Sequence, residues 1–417
     1  MQYIKRPVIE AADGVPASVT QQVVEIIDRV RREGLSAVAD YTAHFDGYQG
    51  PLIVDPARIA DGRHRLNPDL RQAVETAAAN IRTFHSHQKR MFENRQWDLG
   101  GGVSAGMRFV PVENVAVYVP AGRYPLISTT MMGVIPAQVA GVSRIVVMSP
   151  PSGEQGVNAA ILGVAGLLGV DEVWAVGGAQ AIALASTGAR GVSPLDMVVG
   201  PGNAYVTEAK RLVYGRIGID GIAGPSEVLI VADQTADPAH IALDLLAQAE
   251  HDPMSVCHLF CTAEKLAEKV LHTLKKMLAT HPMRAVPESA WKQRGAVLVG
   301  TLEEAAAYAN RSAPEHLELL VENPKALLQR CNSYGSAFLG PHTTVAFGDF
   351  ATGTNHILPT AGAARFSGGV WVGTYLKALT HQIFESSAPL EMARSAVTIA
   401  ENEGLSAHAA AMKARMP

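Results

Sequence analysis

Between Asn114 and Ala232 short apolar runs alternate with helix-like segments, and this alternation constrains the fold more than any other feature of the chain. The runs are Val115–Val119, Arg144–Met148, Glu172–Val176, Asp196–Val199 and Glu227–Ala232. Between them lie Ser128–Ala140, Val157–Leu168, Ala179–Ser186 and Ala204–Tyr214, each helical in its spacing. Strands that are apolar on both faces and separated by helices make βαβ units, a parallel sheet covered on both sides. A second set follows: helix Pro238–Glu250, strand Val256–Cys261, helix Ala263–Thr280, strand Ala296–Val299 and helix Leu302–Ala309. The expected class is α/β with two similar halves, and 417 residues are too many for one ordinary core.

The flanks read differently. From Ser18 to about Trp97 apolar residues recur every three to four positions, as in Val23, Ile26, Ile27 and Val30, which predicts helices broken by a short strand at Leu52–Val54. Beyond Gly340 the chain is rich in Gly, Thr and Phe to about Gly373, then reads as helical to its end. The tail Pro389–Met416 is amphipathic but too poor in large apolar residues for a core of its own. It is expected to pack on another domain or another subunit.

Composition narrows the partners. Thirty-five Lys and Arg against thirty-nine Asp and Glu leave a net charge of −4, without the basic excess of a nucleic-acid surface. The most apolar region, Ala159–Ala185, is interrupted by glycines and by Asp171-Glu172, so no membrane span is expected. Cys257, Cys261 and Cys331 make neither a CxxC pair nor a disulfide framework, and MQYIKRPVIE has no apolar signal segment. These features point to a small-molecule partner in a reducing, cytoplasmic compartment.

Ligands of open α/β sheets sit beyond the carboxyl ends of strands. Two such loops are glycine-rich, Gly177-Gly178-Ala179-Gln180 and Gly200-Pro201-Gly202-Asn203. They suit phosphate at the following helix N-terminus, and equally serve as tight turns alone. There is no GxxxxGK[ST], which argues against a P-loop nucleotidase. Gln248 and His251 share a face at a helix end and are candidate metal donors, or simply a cap. Glu315-His316 offers two proton acceptors, unless Pro314 merely starts a helix with Glu315 in its first turn. Asp349 and His356 lie in a polar loop, and Glu403 and His408 in the tail. Cys257 and Cys261 read as core, without the electropositive setting of a nucleophile, and His85 and His87 read as surface residues.

In combination these segments resemble the histidinol dehydrogenase family over nearly the whole chain. The resemblance rests on Val117–Gly122, Val176–Ala181, Gly200–Asn203, Ala223–Glu227, Ala247–Pro253, Ala313–Leu317 and Gly348–Pro359. It implies two incomplete Rossmann-like domains, an intertwined homodimer with shared sites, NAD as oxidant and one zinc (or manganese) per site. The implied boundaries are an N-terminal arm at 1–20, a discontinuous first domain at 21–113 and 228–370, a nested NAD-binding domain at 114–227, and a C-terminal dimerisation arm at 371–417. The implied zinc ligands are Gln248, His251, Asp349 and, from the neighbouring subunit, His408. NAD contacts fall on Tyr118, Gln180 and Asn203, and substrate contacts on Ser226, His316, His356 and Glu403. Glu315 and His316 take the acid/base positions for a four-electron oxidation of a primary alcohol to a carboxylate through a bound aldehyde.

One departure bears on substrate. Before Gly-Asp-Phe, histidinol enzymes carry a Pro-Glu pair whose Glu faces the polar end of the substrate; here Val345 stands in that place. Losing that partner costs an amine about 2 kcal/mol in binding. Gly122-Arg123-Tyr124-Pro125 and Ala363–Gly373 are closer to the sulfopropanediol dehydrogenase branch, with Arg123 or Arg365 as candidate partners for an anion. The expectation is a family enzyme acting on an alcohol such as 2,3-dihydroxypropane-1-sulfonate. The alternatives are a true L-histidinol dehydrogenase and a catalytically silent nucleotide- or metal-binding protein.

Overall fold

The computed structural model describes residues 1–9, 15–122, 124–385 and 389–416; Arg123 therefore lies outside the described residues. Strand β1 (Gln2–Lys5) precedes helices α1 (Ala17–Glu33), α2 (Leu35–Asp46), α3 (Pro56–Arg65) and α4 (Pro68–Lys89). Strands β2 (Arg95–Gly100) and β3 (Val103–Pro111) follow. The alternation then runs β4 (Asn114–Tyr118), α5 (Ile127–Ala140), β5 (Arg144–Ser149), α6 (Ala159–Leu167), β6 (Glu172–Ala175), α7 (Gly178–Thr187), β7 (Met197–Val199), α8 (Ala204–Val213) and β8 (Gly218–Ile219). Next come β9 (Glu227–Ala232), α9 (Pro238–Ala249), β10 (Val256–Cys261), α10 (Glu264–Thr280), α11 (Ala285–Arg294), β11 (Gly295–Val299) and α12 (Leu302–Ser312). The chain closes with β12 (His316–Leu320), α13 (Pro324–Leu328), β13 (Ser336–Leu339), α14 (Val345–Phe350), β14 (Leu376–Phe384), α15 (Leu390–Asn402) and α16 (Ser406–Lys413).

The α/β expectation holds. Strands β6-β5-β4-β7-β8 form a five-stranded sheet whose paired neighbours are all parallel. A six-stranded sheet, β1-β11-β10-β9-β12-β13, is parallel except for β1, which runs antiparallel to β11. Alternate residues along β4 explain the apolar run: Val115 and Val117 join the core under α5 and α6, while Ala116 and Tyr118 join the core under α7 and α8. Each Val, Ile or Leu buried this way contributes about 1.5–3 kcal/mol.

Three features differ from the sequence reading. Trp97 lies in a strand and residues 376–384 are extended: β14 and the first part of β2, where helix is expected, join β3 in an antiparallel sheet. All of β2 is exposed and β14 nearly so, so no buried face imposes a period of two on their sequences. The helices of residues 17–89 were grouped with 228–370, yet α1 and α2 share a core with the five-stranded sheet, α3 packs on α6 and α4 on α5. An amphipathic stripe says that a helix is covered, not by what. Finally, His85 is fully buried, its Nδ1 bonded to the Ile81 carbonyl at 2.8 Å, while His87 is exposed as expected. Among the described residues no helix is long and apolar enough to cross a membrane.

Candidate active site

The densest polar cluster sits at the amino edge of the six-stranded sheet. Ala313 ends α12 in the left-handed region (φ 48°), and Gly335 N and Ser336 N donate to the carbonyls of Pro314 and Glu315. Those bonds lead the chain into β12 beside β13, so Glu315-His316 opens a strand rather than a helix. The Glu315 carboxylate accepts from Ser226 Oγ at 2.6 Å and from Glu227 N at 2.9 Å, and lies 3.5 Å from His316 Nδ1. His316 Nδ1 also reaches the Glu227 carbonyl at 2.9 Å, which assigns Nδ1 as the N–H donor of the neutral ring. Nε2 has no hydrogen-bond partner among the described residues and lies 3.7 Å from Asp349 Oδ1.

Burial raises the Glu315 carboxyl above its ordinary range, against the opposing pull of His316 and Ser226. Burial alone would lower His316, but the Glu315 and Asp349 charges outweigh it and push the imidazole up to about 9. Proton affinity is thus raised on both partners, and they titrate as a pair. Glu227, which the sequence reading passed over, holds this pair through its backbone. Its own carboxyl accepts from Ala361 N and is raised by burial to about 7.

Asp349 lies on α14, which Thr344 caps by accepting from Ala346 N. Burial favours its protonated form, but the His316 contact wins and holds it below the ordinary carboxylate range, with His356 and His251 adding to the effect. His356 Nδ1 is 2.9 Å from the Asp349 carbonyl and Nε2 is 3.3 Å from Thr129 Oγ1 on α5. It is a stitch between the two sheet systems, kept neutral chiefly by burial. Helix α9 stops at Ala249, so Gln248 occupies its last turn and His251 falls beyond it; the shared helical face does not extend that far. Gln248 is 4% exposed and its Nε2 is buried without a partner.

The side chains of Gln248, Asp349 and His251 offer an amide oxygen, a carboxylate and an imidazole, donor types that suit zinc, and His251 lies near enough to Asp349 to act on its charge. Among the described residues no three His, Cys, Asp or Glu side chains group as a ready metal site. His408 and Glu403 are exposed on the arm α15–α16, whose small core is Val397, Ala400 and Ala409. No described hydrogen bond or ion pair joins either to the cluster.

The carboxyl edge of the five-stranded sheet is built otherwise. Tyr118 ends β4 and its hydroxyl accepts from Gly178 N at 3.1 Å; burial pushes the phenol up to about 12. Gln180 is buried in α7, and Asn203 caps α8 by accepting from Tyr205 N and Val206 N. Gly200 has φ +117°, and a Cβ there would stand 2.2 Å from the Tyr118 carbonyl, so its glycine is required by the protein's own turn. Buried Lys210 and Asp220 pin that turn: Lys210 Nζ donates to the Gly200 carbonyl and pairs with Asp220, which accepts from Gly200 N. Asp46 Oδ2 and Ser149 Oγ are buried without partners. Ser149 ends β5 at this edge. Residues 52–54 run antiparallel to β6 with Leu52 opposite Ala175, which carries Asp46 past the same end. An orphaned acceptor and an orphaned hydroxyl around helix N-termini fit a hydroxyl-rich phosphate ligand such as a dinucleotide.

Other expected residues are placed apart. Ser226 is engaged by Glu315. Arg365 is exposed, donates to the Arg311 carbonyl at 3.2 Å and lines an open groove with Asn332, Tyr334 and Phe366. Val345 is half-buried against the core under α9. Cys257 and Cys261 are buried, their thiols pushed up by burial, to about 12 for Cys261, and neither is a nucleophile.

Comparison with known proteins is consistent with this geometry. A family model described as histidinol dehydrogenase matches residues 11–416. Histidinol dehydrogenase 1 of Nostoc sp. is 41% identical over 401 residues, covering 95% of this chain and 92% of that protein. A histidinol dehydrogenase homolog of Shouchella clausii is 39% identical, covering 100% of this chain and 98% of that protein. The crystal structure of histidinol dehydrogenase from Elizabethkingia anophelis superposes with a TM-score of 0.89 at 33% identity, covering 99% of this chain and 98% of that one.

Proposed function

The chain belongs to the histidinol dehydrogenase family of oxidoreductases, and from that premise we propose that it is a zinc- and NAD-dependent dehydrogenase taking a small polar primary alcohol through a bound aldehyde to a carboxylate. The observation that carries this reading is the buried Glu315–His316 pair, held by Ser226 and the Glu227 backbone beside Asp349. In its neutral form His316 is placed to take the proton of the substrate hydroxyl at Nε2, and NAD, when bound, would accept the hydride. Because the Glu315 and Asp349 charges push the imidazole up to about 9, turnover should rise as pH approaches that value. Glu315 is placed to take a proton from the water that adds to the aldehyde, and a further NAD, when bound, would accept the second hydride. His316 is kept in the accepting tautomer by the Glu227 carbonyl. With no reactive thiol nearby, the second step proceeds through a hydrate. Zinc, held by Gln248, His251 and Asp349 with His408 from a second copy, would supply charge that orients and polarises the substrate oxygen. The exposed apolar residues of the arm, Leu390, Ile399 and Leu405, support that second copy. The buried thiols fit a cytoplasmic setting.

Val345 favours a substrate without the ammonium end of histidinol, such as 2,3-dihydroxypropane-1-sulfonate. The relatives' names favour L-histidinol itself. Purified protein with NAD and either alcohol decides between them: the expected result is NADH formed efficiently from the sulfonate, two per alcohol consumed. Efficient turnover of L-histidinol would make this a true histidinol dehydrogenase. Turnover of neither, with Glu315→Gln indistinguishable from wild type on any alcohol, would leave only a silent binding protein.

A further inference from the structure

Beneath the cluster lies a second pair of acids to which the mechanism gives no role. Glu318 follows His316 by two residues on β12 and therefore faces the same side of the sheet, toward α9. It is completely buried, and neither carboxyl oxygen meets an N–H, hydroxyl or cation among the described residues. The group it faces is Asp244 on α9, within hydrogen-bonding reach. Asp244 accepts from Thr344 Oγ1 at 2.7 Å. His240, one turn earlier on α9 and exposed, is the other titratable group that acts on Asp244. Two ionised carboxyls about 4 Å apart repel by roughly 4 kcal/mol even at an effective dielectric of 20. A carboxyl–carboxyl contact with no cation against it is stable only when one partner keeps a proton.

The connectivity gives the pair a purpose. Asp244 stands one helical turn before Gln248, Glu318 two residues after His316, and Thr344 caps the helix that carries Asp349. We propose that Asp244 and Glu318 share one proton and act as positioning residues, a singly protonated latch joining α9, β12 and α14, the elements that carry Gln248, His316 and Asp349. The latch rests on the burial and unpartnered oxygens of Glu318 and on the Thr344–Asp244 bond beside it; its effect on zinc rests on the reading above.

Three measurements on Glu318→Gln and Glu318→Met test it. Subtracting either variant's infrared spectrum from that of the wild type should leave the carbonyl stretch of one buried protonated carboxylic acid, apart from Glu315 and Glu227, which all three proteins retain. An amide can still donate to Asp244, so Glu318→Gln should keep wild-type hydrogen exchange in residues 341–351 and wild-type zinc affinity. Glu318→Met fills the space without a donor; exchange there should rise and zinc affinity fall by about 10–100-fold, as for other groups that support ligands. A difference spectrum without that band overturns the shared proton. Slow exchange retained in Glu318→Met, in a variant that remains folded by near-ultraviolet circular dichroism, overturns the latch. If the wild type binds no zinc, the metal reading fails, while infrared and exchange still decide the latch.

Discussion

The two parallel sheets present opposite edges to the site. The five-stranded sheet offers its carboxyl edge, where Tyr118, Gly177-Gly178 and Gly200–Asn203 precede the N-termini of α7 and α8. The six-stranded sheet offers its amino edge, where Glu227 and His316 begin strands and Gln248 lies in the last turn of α9. Helix N-termini carry partial positive charge and C-termini partial negative charge. One side is thus suited to phosphate and hydroxyls, the other to a cation and proton traffic, and His356 spans them between Asp349 and Thr129. The rule that ligands gather at carboxyl edges describes only half of this molecule. A single chain obtains both kinds of environment by turning one βαβ layer against the other.

The strongest way to break this division is to damage one edge and read both. Glu315→Gln should lower the rate of alcohol-dependent NAD reduction by about 10²–10⁴-fold, the range for a lost general base, and leave NAD affinity as in the wild type. A parallel loss of NAD binding would mean that the edges do not act separately. Removing metal with a chelator should likewise abolish turnover and spare NAD binding, with activity returning on adding zinc. Asp220→Asn attacks the other edge: it strips Lys210 of its buried counter-charge and should cost about 3–5 kcal/mol in urea unfolding. NAD affinity should fall with it, because the Gly200 turn loses an anchor, while zinc affinity per folded molecule stays the same.

Legibility from sequence divides along the same line. The βαβ layers were readable because strands such as Val115–Val119 are apolar on both faces, a pattern that only a doubly covered sheet satisfies. The exposed sheet of β2, β3 and β14 left no such trace, and neither did the packing of α1 and α2 on the five-stranded sheet. At the site, Glu315, His316 and Asp349 were singled out as residues capable of chemistry, and the fold brings them within hydrogen-bond or ion-pair range. Glu227 was not, because it acts mainly through its backbone, and Asp244 and Glu318 were not, because a helix and a strand far apart in sequence must meet before two acids become a pair. At Pro314-Glu315 the sequence leaves a helix start open as an alternative, because Pro suits both a helix start and the turn into a strand; Ala313 in the left-handed region decides for the strand.

The smallest expected effect belongs to Glu227, and it sharpens the comparison by testing a charge at the seam. Its folded carboxyl titrates near 7 because it is buried, against about 4.5 when exposed to water. Below pH 4.5 both folded and unfolded chains hold the proton and the residue leaves stability unchanged with pH. As pH rises through 4.5 to 7 the unfolded chain releases it first, so stability falls across that window and then levels off. Glu227→Gln removes the titration and keeps an acceptor for Ala361 N. Its stability relative to wild type should be greater at pH 8 by about 1–3 kcal/mol and converge with it near pH 4, measured by urea unfolding at both values. A difference independent of pH would show that the clasp between residues 227 and 361 depends on the acceptor alone, and that the acidic edge of the six-stranded sheet tolerates its third carboxylate without strain.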